Sequence, residues 1–200
     1  LRERGLKREK EFDWGKHAVR LLETPENYAE LFGVKFSTGD MANALAELDK
    51  MIQDGKKHFC AFVNADCFNQ AYTNVEYRQV LADADVVWAD GVGADIAARH
   101  LHTPVRGNVN GTDMLPFLCR KGYRIYLLGA APQVAEEAGK KLLAEYPNCR
   151  IVGTQDGYFP ESATDEIISR INQAGPDILL VAFGVPRQEF WIAKNLPRLQ

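Results

Sequence analysis

The sequence predicts an α/β fold, a three-layer α/β/α sandwich built on a mostly parallel, Rossmann-like sheet. Three observations carry that expectation. Short apolar runs recur along the chain, and each is continuous instead of alternating, as suits strands covered on both faces. Helical stretches separate the runs. The regular alternation of the two calls for right-handed crossovers that put helices on both sides of one sheet.

In chain order, residues 1–20 hold seven Lys/Arg against four Asp/Glu, with little apolar content. We read residues 1–32 as an N-terminal arm or linker and 33–200 as the folded core. Helices are expected at Asp40–Gln53, Cys67–Ala82, Gly93–Leu101, Thr112–Lys121, Pro132–Tyr146, Ala163–Ala174 and Arg187–Leu196. Asp40 and Thr112 are N-cap candidates, Pro132 suits a first turn, and Gly122 and Gly175 stand just past helix ends. The strands between them are His58–Asn64, Asp85–Ala89, Arg124–Gly129, Cys149–Gly153 and Asp177–Phe183.

Composition narrows the function classes. A chain of 200 residues with 46% hydrophobic and 26% charged content can bury a self-supporting core. No apolar run reaches the roughly 20 residues of a membrane span. A net charge of −3 offers no basic field for a phosphate backbone, so nucleic acid is not an expected partner. Cys60, Cys67, Cys119 and Cys149 form no C-x-x-C and sit mostly among apolar neighbours, as in a reducing, cytoplasmic compartment. The four histidines show no zinc spacing.

In an open parallel sheet, ligands bind beyond the carboxyl ends of the strands. That rule selects Asn64-Ala65-Asp66, Asp90-Gly91-Val92-Gly93, Gly129-Ala130-Ala131-Pro132, Gly153 to Phe159, and Gly184 to Glu189. Glycine-bearing turns that lead to helix N-termini suit a diphosphate. Asp90 is the candidate for chemistry: it follows a buried strand, precedes a flexible turn, and carries a carboxylate able to act as general base or, more simply, to cap a helix. Asp83-Ala84-Asp85 spells a metal-binding D-x-D, but Asp85 begins the strand that Asp90 follows. Five residues at about 3.3 Å each put the two carboxylates roughly 16 Å apart. Asp83 and Asp85 therefore read as loop residues. Asp90-Gly-Val-Gly is a poor dinucleotide signature, because position 96 is Ile where a third glycine is needed.

Taken together, Asn64-Ala65-Asp66, Ala89-Asp90-Gly91-Val92-Gly93, Asn110-Gly111-Thr112-Asp113, Leu127 to Pro132, Gly157-Tyr158-Phe159 and Phe183 to Glu189 resemble the WecG/TagA/CpsF glycosyltransferases in order and spacing. The resemblance covers roughly residues 33–196. It implies an inverting, metal-independent hexosyltransferase with no cofactor. Such an enzyme moves an N-acetylmannosamine-type sugar from a UDP-sugar to a polyprenyl-diphosphate-linked sugar in bacterial surface polysaccharide synthesis, peripheral to the inner face of the membrane. By the same resemblance Asp90 is the base, Asn64 and Gln188 hold the donor sugar, and Tyr158 contacts the nucleotide. Gly129, Ala130, Ala131, Gly184 and Arg187 are suitably placed to meet the diphosphate charge.

Two departures stand out. Asn108 occupies a position where many family members carry Arg, and an amide cannot supply charge. Arg106 lies two residues earlier, on the same face of an extended segment, and is expected to replace the missing guanidinium in part. The chain also stops at Gln200, where the family continues with a strand and a basic segment, so weak activity or unusual association is expected of this core alone. The exact donor, the acceptor lipid and any homo-oligomer stay open at this level. Two rival readings are a nucleotide-dependent oxidoreductase on the same architecture and a non-catalytic UDP-sugar-binding module.

Overall fold

The computed structural model describes residues 28–100 and 102–200. Residues 1–27 of the expected arm, and Leu101 at the end of one expected helix, lie outside them. The architecture is a three-layer α/β sandwich. Seven strands among the described residues divide into two hydrogen-bonded sheets, each flanked by helices.

The first sheet has the order β1-β2-β4-β3, from β1 (Tyr28–Leu31), β2 (Val34–Ser37), β3 (Cys60–Val63) and β4 (Val86–Ala89). The strand β1 falls inside the segment read as an arm. It pairs antiparallel with β2, from Tyr28 opposite Ser37 to Leu31 opposite Val34, around a turn in which Phe32 and Gly33 both take positive φ. Its side chains alternate between half-buried and buried, the period-2 pattern of a two-residue hairpin. β3 and β4 run parallel in continuous register, with Val63 opposite Ala89. That register sets Asn64 and Asp90 side by side, and the Asp90 N–H donates to the Val63 carbonyl at 2.8 Å.

The second sheet, β6-β5-β7, is wholly parallel and consists of β5 (Arg124–Gly129), β6 (Arg150–Gln155) and β7 (Ile178–Ala182). Each half has its own apolar core. Phe36, Phe68, Tyr77 and Leu81 fill one, and Tyr126, Leu128, Ile167 and Ile171 fill part of the other. A shared cluster around Trp88, Met114, Leu118 and Ile125 joins the halves.

The helices are α1 (Met41–Gln53), α2 (Ala65–Thr73), α3 (Val75–Ala82), α4 (Gly91–His100), α5 (Gly111–Lys121), α6 (Val134–Glu145), α7 (Thr164–Ala174) and α8 (Arg187–Asn195). Asp40 caps α1 in a reciprocal box with Asn43. The single helix expected over 67–82 is two. Asn74 leaves helical geometry, closes α2, and caps α3 by accepting the Tyr77 N–H at 3.0 Å. The cap of α5 is Asn110, not Thr112, because its side-chain oxygen takes the Asp113 N–H at 2.8 Å. Gly122 and Gly175 end α5 and α7 in the left-handed region, as expected.

Candidate active site

The edge strands β3 and β7 of the two sheets face each other across a cavity of about 700 Å³. Ala61 and Phe62 on one side and Leu180 to Ala182 on the other form its apolar walls. Asp90, Asn110 to Thr112, Gly129, Ala130 and Gln188 form its polar rim. A smaller apolar cavity of about 180 Å³, lined by Leu48, Met51, Trp88 and Leu199, continues the gap on the same strands. The larger cavity carries Asp90, Thr112 and Gln188, and the smaller one has Lys56, His58 and Asp177 in its lining.

Asp90 follows β4 and is half-buried. Burial first, and the nearby Asp113 carboxylate second, push its pKa up. The turn after it is held from outside, where the Gly91 N–H donates to the Asn108 side-chain oxygen at 2.6 Å. Gly93 then packs so closely on α2 that a Cβ there would meet the Ala65 Cβ at 2.6 Å. Asn64 caps α2, its side-chain oxygen accepting the Asp66 and Cys67 N–H groups at 3.0 and 3.1 Å. Its amide nitrogen can still donate to a guest.

On the far bank, Gly129 has φ +137°, and a Cβ there would stand 2.4 Å from the Ala182 oxygen, so this turn demands glycine. The Ala130 N–H is already committed to that same oxygen at 2.7 Å, and the Ala130 carbonyl accepts the Gly157 N–H at 2.9 Å. Among the backbone donors expected to greet a diphosphate, the one on Ala130 is therefore spent within the protein. Gly184 takes φ +82°, and its N–H donates to the Gln188 side-chain oxygen at 3.2 Å.

Of the residues expected from sequence, Asp90, Gly129, Ala130 and Gln188 line the cavity together. Asn64, Arg106, Asn108, Ala131, Tyr158, Gly184 and Arg187 lie outside its lining. Arg187 donates to the Gly157 carbonyl at 2.7 Å and stacks 4.8 Å over the Phe183 ring. It thus fastens the loop that carries Tyr158, whose own side chain is exposed. The backbone N–H of Arg106 pairs with the Thr38 carbonyl at 2.8 Å. At the opposite end of the strands, Asp85 takes the Phe59 N–H at 2.8 Å and Asp83 accepts from Gln79 at 2.8 Å, the loop role expected of both.

Sequence reasoning did not single out Asp113 or Glu189 for a role. Asp113 accepts from the Asn110 amide at 2.7 Å while its charge bears on Asp90. Its place four residues before Phe117 on an amphipathic helix resembles an ordinary first-turn acid. Glu189 is 2% exposed, although Pro-Arg-Gln-Glu reads as a charged helix start.

No helix among the described residues is long and apolar enough to cross a membrane. Over 164 residues, 80% of its length, the chain is 28% identical to a Bacillus spizizenii protein named N-acetylglucosaminyldiphosphoundecaprenol N-acetyl-beta-D-mannosaminyltransferase. The chain spans 63% of that relative's length. The motifs around Asp90 and Gln188 thus stand in a longer pattern: the model of the Glycosyl transferase WecG/TagA/CpsF family matches residues 29–200, and the chain belongs to that family.

Proposed function

We propose that the chain is the core of an inverting glycosyltransferase that moves an N-acetylmannosamine-type sugar from UDP to a sugar carried on a polyprenyl diphosphate. The observation that carries this reading is the placement of the Asp90 carboxylate at the rim of a cavity shared by both halves, opposite the Gly129–Ala130 turn and Gln188. The name of the Bacillus relative supplies the sugar and the lipid-linked acceptor.

In this mechanism Asp90 takes the proton of the acceptor hydroxyl as that oxygen attacks the anomeric carbon. The bond from that carbon to the UDP oxygen breaks on the opposite face, and UDP leaves with the electron pair. A carboxylate with a raised pKa is a stronger base than an exposed one, provided it stays ionised at the working pH. Gln188 and the Asn64 amide hold the sugar, and Tyr158 covers the nucleotide. Main-chain donors around Ala131, with Arg187, meet the diphosphate charge without a metal, while the Gly184 N–H stays on the Gln188 oxygen. Residues 28–200 supply this core, because β1 is paired into the first sheet, and the enzyme works at the inner face of the membrane, where its acceptor is anchored.

Calorimetric titration with UDP, several UDP-sugars and NAD, with and without divalent metal, tests the assignment. Binding of UDP-N-acetylmannosamine that needs no metal, and slow hydrolysis of it lost in Asp90→Ala, is the expected result. Preference for NAD, or hydrolysis unchanged in Asp90→Ala, overturns it.

A further inference from the structure

One buried carboxyl beside the cleft has no part in the reaction just described. Glu189, in the first turn of α8, is 2% exposed, and among the described residues no cation pairs with it. One of its oxygens accepts the Gln188 Nε2 at 2.8 Å. The other, Oε2, is buried without a hydrogen-bond partner. Across the packed pair α3 and α8, the Tyr77 hydroxyl is also buried and unpartnered, and the Tyr77 ring stands 6.1 Å from that of Phe190. A carboxyl kept in such a place is costly to leave half-satisfied, so its bond to Gln188 needs a reason.

That bond decides the orientation of a side chain in the cleft. A glutamine amide has a donor end and an acceptor end that sterics barely distinguish. Here the Gln188 oxygen faces the Gly184 N–H at 3.2 Å and the nitrogen faces Glu189. Turning the amide over would set oxygen against oxygen and N–H against N–H, losing both bonds. One N–H of Gln188 and one lone pair then remain to meet a guest, in a fixed direction. Burial also pushes the Glu189 pKa up, and a neutral carboxyl can still accept at its carbonyl oxygen.

We propose that Glu189 is a positioning residue, acting through Gln188: it locks the amide in the orientation that grips the donor sugar and ties it to the Gly184 turn. This rests on the reading of the cleft as a UDP-sugar site.

The test is calorimetry on the full 200-residue chain with UDP and with UDP-N-acetylmannosamine, for the wild type, Glu189→Ala, Gln188→Ala, the double variant and Glu189→Gln. Each single alanine variant is expected to weaken UDP-sugar binding about five- to tenfold, the scale of one lost hydrogen bond, while UDP alone binds as before. The double variant is expected to bind no more weakly than Gln188→Ala, because both changes remove one interaction. Glu189→Gln, which keeps an acceptor oxygen, recovers most of the loss. Should Glu189→Ala not fold, Glu189→Leu fills similar volume without an acceptor and takes its place in the cycle. Additive losses, equal weakening of UDP and UDP-sugar, or no loss in Glu189→Ala each overturn the proposal while wild-type binding leaves the site reading intact. A wild type that binds neither ligand overturns both.

Discussion

The side-chain oxygen of Asn108 takes the N–H of Gly91 at 2.6 Å, one residue beyond Asp90. Asn108 is therefore a brace on the turn that carries Asp90. Removing it as Asn108→Ala deletes a hydrogen bond of about 1 kcal/mol, so turnover is expected to fall about fivefold. UDP-sugar affinity should change less. Steady-state kinetics of UDP-sugar hydrolysis separate the two. If Arg106→Ala leaves donor affinity intact while Asn108→Ala abolishes it, Arg106 does not stand in for the family's guanidinium.

Asp113 raises the pKa of Asp90 by charge alone, on top of burial. Asp113→Asn keeps an oxygen for the Asn110 amide and removes the charge. The acid limb of the kcat/KM profile, which reports the free enzyme's base, is expected to move to lower pH. Asp90→Ala should lower turnover by about 10²- to 10⁴-fold at every pH, with the fold retained by circular dichroism. A limb that stays in place in Asp113→Asn would show that the two carboxylates do not communicate.

Gly129→Ala is expected to cost about 2 kcal/mol or more of stability, from a strained backbone and a collision with strand β7. The new Cβ would stand 2.4 Å from the Ala182 oxygen, which also holds the Ala130 N–H. Urea unfolding gives the number. Gly55→Ala is the control, because a Cβ there meets nothing within 4 Å although its φ is +71°.

His58 lies between Asp54 and Asp85, with nitrogen-to-oxygen distances of 3.1 and 3.2 Å. The hydrogen bond to Asp54 first, and Asp85 after it, raise its pKa above the usual histidine value. The sign follows from linkage. The stabilisation is complete below the unfolded-state pKa of about 6.5 and is lost as pH rises through the higher folded-state value. Melting temperature should therefore decline from pH 6 to pH 8.5 in the wild type and decline less in His58→Gln.

The strands β3 to β7 were legible because each is a continuous apolar run between turn residues, and the caps at Asp40, Gly122 and Gly175 because each residue type suits its place. What sequence could not show was set by long-range contacts. The four-residue strand Tyr28–Leu31 gains its place only by pairing with Val34–Ser37. Asn74 and Thr73 lie in a run with helical spacing, and only the tertiary turn reveals the break between α2 and α3. Asp90 was readable from its place after a strand, and Gln188 from its motif. The duty of Arg187 was not, since its partner carbonyl, on Gly157, is thirty residues away. Nothing in the local sequence distinguishes a carboxyl destined for burial, such as Glu189, from a solvated one in the first turn of a helix.

Strands β3 and β7 belong to separate sheets and look at each other across the cavity. The middle of the molecule is thus a seam rather than a ladder, and the backbone does not stitch it. A guest that touches Asp90 on one bank and Gln188 on the other becomes mortar between two masonry blocks, so loading the site is expected to raise the stability of both.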